Sequence, residues 1–93
     1  MSYKLVITEQ AMEALQELDL QLAERILRKM HWVAANAEQI RHKQLRNLPP
    51  HLEGLCKYRI GDHRALYWID HNECQITLYD VLWRKSGYKE LYR

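Results

Sequence analysis

Apolar residues along the chain change their period twice. Tyr3-Lys4-Leu5-Val6-Ile7 is rich in β-branched and aromatic residues and loosely alternating, which predicts a first strand. Thr8 then offers a side-chain oxygen as N-cap, with Glu9 at the positive end of a helix. Ala11, Leu15, Leu18, Leu22, Ile26, Met30, Val33 and Ala37 recur at steps of three or four, one apolar stripe on a helix. The phase never breaks, so periodicity alone allows a single helix of about 30 residues. A rod of ~45 Å could not bury its stripe in so small a chain. The expectation is therefore a bend near Leu18-Asp19-Leu20, with Asp19 capping the second half of a helical hairpin.

Residues 38–53 read as a loop, because Pro49-Pro50 forbids regular structure there. Leu45 and Leu48 tack it to the core. Leu55 to Ile60 and Arg64 to Ile69 flank Gly61-Asp62, a pair suited to a two-residue II′ hairpin turn with Gly at the positive φ. Asp70-His71-Asn72-Glu73 is a second turn, and Gln75 to Trp83 a third strand of the meander, with Gly87 ending it. The predicted fold is α+β: a strand, an α-hairpin, then a three-stranded antiparallel meander packed on the helices, as one domain over residues 1–93.

Composition narrows the function classes. The 93 residues are 47% hydrophobic and 28% charged, which is globular. No apolar run approaches the ~18 residues of a membrane span, and the first residues lack the apolar stretch of a secretory leader. Cys56 and Cys74, without a CxxC spacing, suit a reducing compartment and read as small buried hydrophobes. The histidines are scattered, and no Cys/His spacing resembles a zinc ligand set. No nucleophile elbow and no phosphate loop is present. Phe is absent while Tyr is 6 and Trp 3, so the aromatics carry polar handles. The net charge is +2, and the cationic excess lies in the C-terminal half.

The hairpin gives this excess a geometry. Counting outward from Gly61-Asp62 pairs Ile60 with His63, Arg59 with Arg64, Tyr58 with Ala65 and Lys57 with Leu66. One sheet face then shows Arg59, Arg64 and, diagonally, Lys57. The other shows Ile60, Tyr58, Ala65, Tyr67 and Cys56, a core side, and takes His63 with it. Two arginines directly opposed repel, and an anion between them removes that cost. Arg and Lys on a rigid sheet can clamp a phosphate. The same pattern also fits a solvated face balanced by Asp62 or Glu53. Trp83-Arg84-Lys85 and Tyr88 could add two cations and a phenol, Tyr88 as an acid–base group, a stacking platform or an ordinary tail residue.

Leu45-Arg46-x-Leu48, then Leu55-x-Lys57-x-Arg59-Ile60-Gly61-Asp62-x-Arg64-x-x-Tyr67-x-Ile69, then Trp83-Arg84-Lys85-x-x-Tyr88, resembles the RelE/ParE superfamily of bacterial type II toxins. The resemblance runs from the first strand to Tyr88. For RelE-like members it implies ribosome-dependent, metal-independent cleavage of messenger RNA and arrest of translation. The 2′-hydroxyl attacks the adjacent phosphate, and cations take the place of a metal. It implies Lys57 and Arg64 as phosphate-stabilising residues, Arg84 as a catalytic arginine and Tyr88 as general base. Arg59 and Lys85 would contact RNA. It implies a cognate antitoxin, the ribosome and mRNA as partners, a bacterial cytoplasmic location, and no cofactor, metal or membrane. The alternative within the superfamily is a ParE-like, non-enzymatic inhibitor of DNA gyrase. The chain departs from the RelE pattern at Leu55, where the archetype has a lysine, and at Trp83, where many relatives have histidine.

Overall fold

A computed structural model describes residues 2–83. Strand β1 (Lys4–Ile7) leads into α1 (Glu9–Gln16) and α2 (Leu20–Ala35). The short β2 (Lys43–Gln44) follows, then β3 (Cys56–Ile60), β4 (His63–Asp70) and β5 (Gln75–Trp83). These strands form one five-stranded sheet in the order β1-β5-β4-β3-β2, with β1 parallel to β5 and the other neighbours antiparallel. The expected α+β class holds. The sheet is larger than the predicted meander, because β1 joins it beside β5 and β2 extends the far edge beside β3.

The break in the helical stripe falls at Asp19. Its Oδ1 accepts from the amide of Leu22 at 3.0 Å, as an N-cap does, while Leu18 to Leu15 closes the preceding turn. Thr8 does the same for α1, accepting from Ala11 at 3.1 Å while its hydroxyl donates to the carbonyl of Tyr79 at 2.9 Å. Asp19→Ala removes a cap at the only point where the stripe turns back. We expect it to cost about 1 kcal/mol, read as a lower urea midpoint at unchanged m-value.

The stripe residues Ala11, Leu15, Ile26, Met30 and Val33 are buried against Cys56, Ile60, Ala65, Tyr67, Ile76 and Leu78 on one sheet face. The opposite face carries a second, smaller cluster of Leu52, Leu55, Leu66 and Leu82, flanked by Leu45, Leu48 and Trp68. Residues 38–53 are thus more than the predicted loop. They hold β2 and a 3₁₀ turn at Pro50–Leu52, which starts on a proline whose missing N–H costs nothing there. Leu45 and Leu48 pin this segment to the second cluster, on the far side of the sheet from the helices. Cys56 is buried as expected, its thiol pushed up to about 11 by burial, whereas Cys74 is only half-buried and sits in a turn at φ 51°. No helix among the described residues is long and apolar enough to cross a membrane.

A cationic cavity on the sheet as candidate nucleic-acid site

Register places the charges. Pairing across β3 and β4 is Ile60 with His63, Arg59 with Arg64, Tyr58 with Ala65 and Lys57 with Leu66, the expected alignment. Gly61 in the turn has φ 59°, open to glycine without strain. Lys57, Arg59 and Arg64 therefore share the face opposite the helices, beside the cluster of Leu66 and Leu82. On the other edge β2 sets Lys43 directly opposite Lys57. The face so carries two directly opposed like-charge pairs, Lys43–Lys57 and Arg59–Arg64, an arrangement that disfavours the bare sheet by up to ~1 kcal/mol per pair.

Arg41, Lys43, Lys57, Tyr58, Arg59 and Arg64 line one cavity of about 400 Å³. Its charged side chains are all cations. Lys57 and Arg64 are half-buried, and Arg64 has its Nη1 atom out of solvent; Arg41, Lys43 and Arg59 are exposed. Arg59 is oriented by the turn, its Nε donating to the carbonyl of Gly61 at 3.5 Å. In the second apolar cluster, Trp68 donates from Nε1 to the carbonyl of Glu53 at 3.0 Å, and its ring lies 5.0 Å from that of Tyr79. Half-burial lowers the local dielectric around Lys57 and Arg64, so these two cations attract an anion more strongly than they would in water.

The structure brings together Lys57, Arg59 and Arg64 from the sequence expectation. Arg84, Lys85 and Tyr88 lie outside the described residues. Arg41, Lys43 and Tyr58 were not among the expected site residues. Tyr58 packs on the core side as predicted, yet it also reaches the cavity, because β2 covers β3 only at Cys56 and Lys57 and leaves the edge at Tyr58 open. The period-two spacing Arg41-x-Lys43 is the signal that would have placed both cations on one side of an extended segment. His63 stands with Glu17 and Asp80 in a separate concavity, away from the cationic face. Tyr67 is buried at 1% exposure, and burial pushes its hydroxyl above the ordinary phenol range; the hydroxyl is hydrogen-bonded with Nδ1 of His42 at 2.7 Å, while Nε2 of that ring donates to the carbonyl of Ala37 at 2.8 Å.

A cationic pocket on one face of the sheet, with a helical hairpin on the other, defines a small α+β protein whose cavity chemistry suits an anion. The sequence profile of the family described as ParE toxin of type II toxin-antitoxin system, parDE, matches residues 5–88. The chain belongs to this family, within the RelE/ParE superfamily of type II toxins. Among solved structures, the toxin–antitoxin complex RelBE2 from Mycobacterium tuberculosis is 22% identical, with 90% of this chain and 93% of that chain covered and a TM-score of 0.77. A double arginine-to-alanine mutant of E. coli toxin RelE in the free state is 20% identical, covering 98% and 95%, with a TM-score of 0.74. The archaeal RelE–RelB complex from Pyrococcus horikoshii is 22% identical, covering 90% and 97%, with a TM-score of 0.68. These likenesses are likenesses of fold. No curated protein sequence matches the chain.

If the cavity holds a polyanion, each lining cation displaces about one counterion. Lys43→Ala is expected to lower the slope of log K against log salt for a single-stranded RNA by about 0.7. Its thermal midpoint should hold or rise slightly, since the change also removes the repulsion of Lys57. Titrations at several salt concentrations, followed by fluorescence anisotropy, check both the affinity and its slope.

Proposed function

We propose that this toxin is a ribosome-dependent endoribonuclease that cuts messenger RNA and so arrests translation. The observation that carries this reading is the convergence of Lys57, Arg59 and Arg64, with Arg41 and Lys43, around one cavity on a rigid sheet. Cleavage of RNA by its own 2′-hydroxyl passes through a phosphorane-like state with extra negative charge, and fixed cations stabilise that charge most where water is excluded. Lys57 and Arg64, the half-buried pair, take the non-bridging phosphate oxygens, and Arg59 holds the adjoining backbone. Tyr88 removes the 2′-hydroxyl proton, Arg84 neutralises charge at the reacting phosphate, and Lys85 adds to RNA binding. The new bond joins the 2′-oxygen to phosphorus, and the bond to the 5′-oxygen breaks. The leaving 5′-oxygen takes a proton from water, and the products are a 2′,3′-cyclic phosphate and a 5′-hydroxyl.

Its further partner is a cognate antitoxin, a reading supported by the family and by structural neighbours solved as RelB–RelE complexes. A segment with acidic side chains would cover the cationic cavity and silence it. A second reading is favoured by the family itself, whose profile is that of ParE toxins: a binder that inhibits DNA gyrase without cutting RNA. A fold shared by both classes does not choose between them; the density of cations around one nucleotide-sized cavity favours cleavage.

The test is cleavage on programmed ribosomes at constant magnesium, with and without a chelator selective for transition metals. We expect mRNA fragments ending in 2′,3′-cyclic phosphate, formed at the same rate in both reactions. Fragments ending in a 3′-hydroxyl, or activity lost to the chelator and restored by zinc or manganese, would overturn the cation-only scheme.

A further inference from the structure

A second cationic surface lies on α2. Arg25, Arg28, Lys29 and Trp32 line a shallow concavity of about 450 Å³ on the helix face turned away from Ile26, Met30 and Val33. All four are exposed, Trp32 at 47%, an unusual position for the largest side chain of the helix. At ~100° per residue they fall within an arc of about 100°, together with Gln21, and no carboxylate lies on that arc.

This surface touches the first one. A β-carbon placed on Gly61 would lie 3.5 Å from Nη1 of Arg25, so the Arg25 guanidinium rests against the β3–β4 turn. On the same turn residue, Arg59 donates from Nε to the carbonyl oxygen at 3.5 Å. Gly61 is thus flanked by two guanidinium groups, one belonging to the sheet cavity and one to α2. Cations thus flank the turn on both sides, Lys57 and Arg59 on the sheet and Arg25, Arg28 and Lys29 on α2, with the exposed Asp62 as the carboxylate of the turn itself.

We propose that the α2 stripe is a second RNA-binding surface, continuous with the sheet cavity around Gly61, which holds the strand that leaves the cavity. The proposal rests on the reading of the cavity as an RNA site and extends it to RNA flanking the reacting phosphate. Regularly spaced cations suit a phosphodiester backbone, whose charge repeats along the strand. Trp32, solvent-facing among them, offers its ring to an unstacked base. An amphipathic peptide helix fits less well, because it needs apolar anchors at several successive turns, and this stripe presents Trp32 alone. A stacked strand advances about 3.4 Å per nucleotide, so about ten nucleotides cover the 33 Å breadth of the molecule. A fragment of four nucleotides advances only about 14 Å, enough to place one nucleotide in the cavity of about 400 Å³ without running the length of α2.

The experiment measures binding of a 20-nucleotide and a 4-nucleotide unstructured RNA by fluorescence anisotropy over a range of salt. The proteins are wild type, Arg25→Gln/Arg28→Gln/Lys29→Gln, Trp32→Ala and Lys57→Ala. Because Arg25 also supports the turn, Arg28→Gln/Lys29→Gln serves as a second variant, with circular dichroism confirming the fold of each. For the 20-mer, the triple variant should lose about 2 from the salt slope and the double variant about 1.4. Trp32→Ala should weaken 20-mer binding about tenfold, and the 4-mer should bind all α2 variants as it binds wild type. Unchanged 20-mer affinity and slope in the folded α2 variants would overturn the proposal. So would equal losses for both lengths, which would make the α2 effect an indirect one on the cavity. Intact 20-mer binding with loss of binding to a polyglutamate peptide would reassign the stripe to an acidic protein. Loss of 20-mer binding in the α2 variants with no effect of Lys57→Ala would keep the α2 surface and remove the cavity as its RNA site.

Discussion

Arg64→Ala abolishes growth arrest and lowers single-turnover mRNA cleavage on the ribosome by about 10²-fold or more, while the protein stays folded. This is the expected result because Arg64 combines three features. It is half-buried, it faces Arg59 across the hairpin, and it borders the apolar cluster of Leu66 and Leu82. A half-buried cation so placed acts most strongly on an anion that reaches it. Removing one preorganised donor to a charged transition state costs ~10²–10³ in rate. Stability should change little, since relief of the Arg59 repulsion offsets the lost packing of the arginine stem. Arg64→Lys keeps the charge but loses the bidentate fork, so its rate should fall between the two. A folded Arg64→Ala protein that remains fully toxic would remove Arg64 from the site; one that unfolds would make it a structural residue.

Tyr88→Phe has the second largest expected effect, again about 10²-fold or more in the chemical step, with ribosome affinity nearly unchanged. An ordinary phenol, with pKa ~10, is a poor base at neutral pH. Cations held close to it favour the phenolate and make it a better one. The same charges that grip the scissile phosphate would therefore prepare the base. Phenylalanine keeps the ring and any stacking but loses the hydroxyl. Pre-steady-state cleavage against pH checks this: the wild-type rate should rise with pH to a plateau, and the variant should lose that dependence. Equal rates for the two proteins would leave Tyr88 a packing residue and move the proton transfer to Arg84 or to a group on the ribosome.

Much of the scaffold is legible in the chain because local chemistry and global size agree. Asp19 interrupts no periodicity, yet a straight helix of that length cannot fold onto so short a chain, and Asp19 supplies the oxygen that caps a new start. The Gly61-Asp62 turn leaves a single two-residue register, and the charges on β3 and β4 follow from counting. The β2 strand is another matter. Lys43 and Gln44 are both exposed, so they have no alternation of burial to betray them, and two residues carry too little propensity to be read. What makes them a strand is tertiary: the amide of Leu45 donates to the carbonyl of Leu55, and Leu45 is half-buried in the second cluster. Missing β2 meant missing Lys43 and its neighbour Arg41 as lining of the cavity. The approach of the α2 cations to the hairpin turn was hidden for the same kind of reason. Arg25 and Gly61 are 36 positions apart in the sequence, and only the packing of the hairpin turn beside the helix brings them together.

Action of the cationic face on RNA in the ribosome is decided by offering the purified toxin both candidate targets in parallel: programmed ribosomes carrying a labelled mRNA, and DNA gyrase with relaxed plasmid. Wild type should cut the mRNA and Arg64→Ala should leave it whole, with supercoiling unaffected by either protein. Intact mRNA together with inhibited supercoiling, or trapped gyrase–DNA breaks, would contradict that action on RNA.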